Sequence, residues 1–184
     1  MRVLVLLSGG IDSTSCLHFY RLRGDHVQAL FIDFGQISWS REMVAARNVA
    51  MHYKIRLKTV KLSGFHSFKS GFVNGRNLFF LATALVGAEF KRGGVAIGVH
   101  GGTPYVDCTP TFLKSTNAVF DVYTDGRIKV LAPFEDWSKL DIWNFAISQN
   151  VPLELTYSCE LGLRQPCGKC QSCRDLKALH ARSR

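Results

Sequence analysis

From residue 2 onward, short runs rich in Val, Ile and Leu alternate with longer stretches in which apolar residues recur at helical spacing. No other feature of the chain narrows its fold so far. The runs are Val3–Leu7, Val27–Ile32, Ile55–Lys61, Gly94–Val99 and Ile128–Leu131, and the helical stretches are Ser13–Arg23, Ser40–His52, Asn77–Lys91, Thr111–Tyr123 and Ser138–Gln149. Strand and helix in alternation is the pattern of an α/β fold, and runs dense in branched apolar residues suit parallel strands covered on both faces. The expectation is an open five-stranded parallel sheet flanked by helices. In the second helical stretch, Met43, Ala46, Val49 and Ala50 would form the sheet-facing stripe. No repeat or linker interrupts positions 1–151, which read as one α/β domain. From 152 to 184 the rhythm gives way to a cysteine-rich tail, expected to pack on the same domain as a small appendage.

The 184 residues suffice for such a domain without covalent staples, since a chain of this size buries about 70% of its unfolded surface. Apolar residues make up 47% and charged residues 20%, inside the soluble globular range. The opening run Val3–Leu7 is too short for a signal peptide core or a membrane span, so a cytoplasmic protein with no membrane partner is expected. Twenty-three basic against 14 acidic side chains leave a formal charge of +9, which favours anionic partners without choosing among them.

The first strand runs straight into Ser8-Gly9-Gly10-Ile11-Asp12-Ser13, and helical spacing begins at once. Glycines let the backbone turn tightly and bring N–H groups close to an oxyanion. The helix N-terminus adds partial positive charge, and Ser8 and Ser13 add hydroxyl donors. An ordinary strand-to-helix turn capped by Asp12 or Ser13 would look similar. The absence of a Lys after the glycines excludes a Walker A loop, and GxGxxG is not formed. The string instead resembles the SGGxDS signature of the ATP pyrophosphatase (PP-loop) superfamily. That resemblance implies ATP held by its β- and γ-phosphates and cleaved between α and β. A carboxylate at Asp12 facing a polyphosphate is repulsive unless a divalent cation lies between them, which implies Mg2+.

Ligands of open parallel sheets bind beyond the carboxyl ends of the strands. Asp33, Gly35 and Gln36 follow the second strand, His100 to Cys108 follow the fourth, and Lys139 comes soon after the fifth, all at that edge. Lys139 opens a helix, where a cation is mildly unfavourable unless an anion is near. Arg76 and Asn77 also begin a helix, and the planar guanidinium of Arg76 suits a phosphate or carboxylate. His100 stands at a strand end as a candidate substrate contact. The other histidines, His66 among them, are scattered without metal spacing.

Cys159, Cys167, Cys170 and Cys173 supply the four thiolates of a closed tetrahedral Zn2+ site, with an iron–sulfur cluster as the alternative. Arg164, Lys169, Arg174 and Lys177 would offset the excess negative charge. Cys16 is expected to be helix packing.

The string from Ser8 to Ser13, Phe34-Gly35-Gln36, Gly75-Arg76-Asn77-Leu78, Tyr105-Val106-Asp107-Cys108 with Phe112, Lys139 and the four cysteines together resemble the 7-cyano-7-deazaguanine synthase (QueC) family. The resemblance extends over nearly the whole chain. It implies that ATP adenylates the carboxylate of 7-carboxy-7-deazaguanine and that an amine attacks the acyl adenylate to give an amide. Asp12, Ser13, Arg76 and Lys139 are then the catalytic candidates. Ser8, Gly9, Gly10, Asp33, Gln36 and Asn77 would join Asp12 and Ser13 around the nucleotide, with Tyr105, Asp107, Phe112 and His100 around the deazaguanine. In the synthases the amine is ammonia, and a homodimer is implied. The stretch Leu62–Asn74 and the loop before Tyr105 are shorter than in the family, which bears on the acceptor side of the pocket. Compact members resembling this chain occur in antiphage signalling (type IV CBASS) operons, and for them the acceptor would be the N-terminal amine of a partner protein. A tRNA-modifying enzyme with the same loop is the other alternative; against it, no basic run with interleaved aromatics appears, and no nucleic acid partner is expected.

Overall fold

The computed structural model describes residues 1–64, 68 and 73–182. Most of the segment expected to shape the acceptor side, together with His66, lies outside the described residues. The strands are β1 (Arg2–Leu6), β2 (His26–Asp33), β3 (Leu57–Lys61), β4 (Gly93–Ala96) and β5 (Ile128–Leu131). The helices are α1 (Ile11–Leu22), α2 (Trp39–His52), α3 (Arg76–Gly87), α4 (Pro110–Thr124), α5 (Lys139–Ser148) and α6 (Gln171–Arg182). All five strands are parallel and lie in the order β3-β2-β1-β4-β5. This is the expected open α/β sheet.

Successive residues of a strand face opposite sides of the sheet. Val3, Val5 and Leu7 accordingly pack with Cys16 and Leu17 of α1, with the expected Met43, Ala46 and Val49 of α2, and with Ile142 of α5. Leu4 and Leu6 point the other way, onto Leu81 and Ala84 of α3 and Leu113 and Phe120 of α4. The chain winds outward from β1 to β3 on one side and then crosses back to β4 on the other. A crevice therefore opens between the carboxyl ends of β1 and β4, the place where such sheets bind ligands.

Several boundaries differ from the sequence reading for local reasons. Helix α1 begins at Ile11, two residues early, because Gly10 in extended conformation (φ −81°, ψ 168°) is its N-cap. Asp12 and Ser13 therefore lie inside the first turn, and neither is the cap. Helix α3 ends at Gly87, where Lys58 of β3 donates to the Gly87 carbonyl at 3.0 Å and also pairs with Glu89 at 2.9 Å. The sequence reading had no helix α6. Its Leu179 packs with Trp143 of α5 and Ile11 of α1, so the tail is fixed to the sheet domain by a small apolar cluster of its own.

Candidate functional site

The loop after β1 is tight because Gly9 takes φ +81° and lies against α2. A Cβ there would stand 2.8 Å from the Glu42 carbonyl and from the Ala46 nitrogen. Side chains cannot occupy that position without moving α2. The loop closes on itself through Ser8 Oγ and Ser13 Oγ, 3.1 Å apart, and through a Gly10 N–H that donates to Ser8 Oγ at 3.3 Å. Ser13 Oγ also reaches the Gly10 carbonyl at 3.0 Å. Two hydroxyls thus stand together at the start of α1, a donor-rich turn suited to an oxyanion.

Lys139, the first residue of α5, sends Nζ to both carboxylate oxygens of Asp12 at 2.5 Å, across 127 residues of chain. Both side chains keep partial solvent access, 31% for Lys139 and 27% for Asp12. Each partner is held in the first turn of a helix, Asp12 in the helix that follows β1 and Lys139 in the helix that follows β5. In α5 that turn is fixed by a capping box, with Ser138 Oγ accepting from Asp141 N and the Asp141 carboxylate accepting from Ser138 N.

Asp33 and Gln36 are buried at the end of β2 and brace the turn that follows it. Asp33 Oδ1 accepts from Gly35 N at 3.1 Å. Gln36 Oε1 accepts from Phe34 N at 2.9 Å, and Nε2 donates to the Ile32 carbonyl and to Glu42 Oε2. Both residues shape the loop facing the crevice.

Asn77 and Asp107 hold each other. Asp107 is 5% exposed, and its Oδ2 accepts the main-chain N–H of Asn77 at 3.2 Å while Asn77 Nδ2 donates to the Asp107 carbonyl at 3.0 Å. Asp107 therefore caps α3, whose N-cap residue Gly75 has no side chain for it. Part of this carboxylate is thus spent on α3, and the rest is left for a ligand. Arg76 opens the same helix, and its Nε is buried without a hydrogen-bond partner among the described residues. The half-buried Phe112 packs on the apolar layer beneath α4. Tyr105 is partly exposed beside Asp107, and His100 Nδ1 lies 2.7 Å from the Gly101 carbonyl.

The ligand sulfurs of Cys159, Cys167, Cys170 and Cys173 lie within 4.8 Å of one another. A tetrahedral Zn2+ with Zn–S bonds of 2.3 Å separates its sulfurs by about 3.8 Å, and Cys167 and Cys173 stand at 3.9 Å. Cys167 Sγ accepts the N–H groups of Cys170 at 3.3 Å and Lys169 at 3.4 Å, which draw its thiol down to about 6. The set fits a metal taken through thiolates.

Two residues that position this site were not singled out from the sequence. A Cβ on Gly98, just beyond β4, would stand 2.8 Å from the Asp12 carbonyl, so the bare backbone there lets the chain press against the first turn of α1. A glycine inside an apolar strand run was the available signal, since it often marks close backbone approach. Tyr157 N donates to the Gly9 carbonyl at 2.9 Å, and nothing in its local sequence marks that contact.

A family profile described as "Queuosine biosynthesis protein QueC" matches residues 2–71 and 66–181. The chain is 32% identical over 202 aligned positions to a 7-cyano-7-deazaguanine synthase of Prochlorococcus marinus (strain MIT 9215), covering 94% of this chain and 90% of that one. It is 31% identical to the synthase of Aquifex aeolicus (strain VF5), covering 93% and 92%. Among solved structures, a 4-thiouridine synthetase in complex with RNA and ATP superposes with a TM-score of 0.63 at 18% identity, over 98% of this chain and 50% of that one. A predicted tRNA methyltransferase subunit from Methanocaldococcus jannaschii matches with a TM-score of 0.50 at 17% identity, over 80% and 74%. Those two likenesses concern the fold alone. With the family profile and the synthases both matching nearly from end to end, the chain belongs to the 7-cyano-7-deazaguanine synthase (QueC) family.

Proposed function

We propose that this ATP-dependent ligase adenylates the carboxylate of 7-carboxy-7-deazaguanine and passes the acyl group to ammonia. The observation that supports this most is the Asp12–Lys139 pair at the mouth of the glycine loop, between β1 and β4. The polyphosphate of ATP lies on the N–H groups and hydroxyls of Ser8 to Ser13, at the positive end of α1. Lys139 neutralises Asp12, which would otherwise repel the phosphates. Asp12 offers the hard carboxylate oxygens that Mg2+ prefers, and a bound Mg2+ would neutralise charge on the phosphates. Lys139 and the orphaned Arg76 Nε then stabilise negative charge as the substrate carboxylate oxygen attacks the α-phosphorus and the bond to pyrophosphate breaks. The amine nitrogen next attacks the acyl carbon, AMP leaves, and a proton is lost to give the amide. A second activation of the amide would give the nitrile named in the relatives. Asp33, Gln36 and Asn77 shape the nucleotide side, and Tyr105, Phe112, His100 and the remaining lone pairs of Asp107 the deazaguanine side. The four cysteines hold a structural Zn2+ with no ligand position open for water.

Further parts of this reading concern assembly and location. No helix among the described residues is long and apolar enough to cross a membrane, and we place the protein in the cytoplasm. Val86 of α3 and Val122 of α4 are 90% and 80% exposed, apolar surface that a homodimer would cover. The shortened segments on the acceptor side favour a second reading, in which the amine is the N-terminus of a partner protein.

Product mass spectrometry with 7-carboxy-7-deazaguanine, ATP and either ammonia or a peptide amine separates the two acceptors. Asp12→Asn should lower pyrophosphate release by about 10²-fold or more, the usual cost of losing a charge-stabilising group, while the circular dichroism spectrum stays unchanged. Undiminished release would sink the loop assignment.

A further inference from the structure

The cysteine tail touches three places around the nucleotide edge: the phosphate loop, the start of α1 and the loop after β2. Two residues before Cys159, Tyr157 N donates to the Gly9 carbonyl at 2.9 Å. In a trans peptide the C=O and the following N–H point in opposite directions. Fixing the Gly9 carbonyl therefore aims the Gly10 N–H to the other side, where Ser8 Oγ already receives it at 3.3 Å. From α6, which starts between Cys170 and Cys173, Leu179 shares a buried apolar cluster with Trp143 and with Ile11, the residue that follows the glycines. Between Cys159 and Cys167, Gly162 is seated so closely on the loop after β2 that a Cβ would stand 2.7 Å from the Ile37 carbonyl. The cysteine cluster thus lies between the contact to Gly9 and the contact to Ile11, and whatever orders the four sulfurs orders both.

We propose that metal occupancy of the Cys159–Cys167–Cys170–Cys173 centre sets the nucleotide affinity of the phosphate loop, with the Tyr157 N–H and Leu179 as the mechanical link. This rests on the ATP and zinc reading above. A centre that holds Tyr157 and α6 in place pre-orients the loop, so the nucleotide binds without first ordering it. Loss of the metal leaves the glycine loop free to turn its N–H groups away from the crevice. The coupling is reciprocal by linkage: ATP must tighten metal binding by the factor by which metal tightens ATP binding.

Titration calorimetry of the full chain with ATP and Mg2+, before and after chelation of zinc, reads the first arm. The expected result is a loss of ATP affinity of about tenfold or more in a chain still folded by circular dichroism. Competition with a chromophoric chelator reads the second arm, and saturating ATP should raise zinc affinity by the same factor. Where stripping unfolds the chain, Tyr157→Pro decides with all four thiols present. It deletes the N–H donor in a backbone whose preceding Thr156 is already extended (φ −86°, ψ 158°), as a proline requires, and with it the phenol that donates to the Leu163 carbonyl at 2.8 Å, a loss that Tyr157→Ala shares. Tyr157→Pro should keep zinc and bind ATP about tenfold more weakly, whereas Tyr157→Ala, which keeps the N–H, should bind like the parent. Equal ATP affinity in the zinc-loaded Tyr157→Pro and parent chains overturns the proposal, as does a stripped, folded chain that binds ATP unchanged. A zinc-loaded parent that binds no ATP overturns the phosphate-loop reading itself, and the coupling with it.

Discussion

Asp107 Oδ2 accepts the main-chain N–H of Asn77 at 3.2 Å, and Gly75, at the N-cap position of α3, brings no side chain that would do so. Removing the carboxylate strands a buried donor. Asp107→Ala should therefore cost about 1–3 kcal/mol of stability, the usual penalty for an unsatisfied buried group, and urea unfolding measures it. Asp107→Asn keeps an acceptor oxygen and should cost less than half as much. A deazaguanine affinity lost in Asp107→Ala mixes recognition with a disordered α3, on which Arg76 stands. The asparagine variant separates the two, because it preserves the cap while changing the charge. Equal stability of Asp107→Ala and the parent would show that solvent or another group caps α3.

Helix α5 brings Lys139 to Asp12, and its position depends on the turn at which it begins. Ser138 Oγ accepts from Asp141 N, and the Asp141 carboxylate accepts from both Ser138 N and Ser138 Oγ, which holds that carboxyl below the ordinary aspartate range. The box satisfies N–H groups that the first turn of any helix leaves open. Ser138→Ala should lower stability by about 1 kcal/mol, a shift of roughly 2–4 °C in Tm for a chain of this size. It should also loosen Lys139, so pyrophosphate release falls by more than the stability loss at the assay temperature explains. Thermal melts and single-turnover assays on one preparation test both. A melt shift with unchanged release would show that Ile142 and Trp143, buried on the same helix, hold α5 in place without its cap.

At the scale of the whole molecule, His18 of α1 meets Tyr53, the residue after α2, with Nδ1 2.7 Å from its Oη, and His18 Nε2 is buried without a partner among the described residues. Burial, and then the charge of nearby His52, lower its pKa from the ordinary histidine value. The unfolded chain therefore binds the proton more readily than the folded one. The stability this neutral ring contributes is present above the unfolded pKa of about 6.5 and is lost as pH falls below it. The urea midpoint should decline between pH 7.5 and 5, and His18→Gln should decline less; parallel curves would assign the decline to other groups. The sequence by itself determined the layered sheet, because the period of Val, Ile and Leu is a local property that any α/β packing must respect. It also determined the chemistry of the loop, since Ser8 to Ser13 carry their donors wherever the fold puts them. The four cysteines, close in sequence, were legible as one cluster for the same reason. Only the tertiary structure decided that Lys139 meets Asp12 and that Asp107 caps α3, contacts that arise from strand order and not from neighbouring residues. Helix α6 escaped the sequence reading because its apolar positions, Leu176 and Leu179, gain meaning only against Trp143 and Ile11. The hold of Tyr157 on Gly9 is a main-chain bond, and a main-chain donor is the same in every residue but proline. No side chain announces it, and the packing of the tail alone put it there.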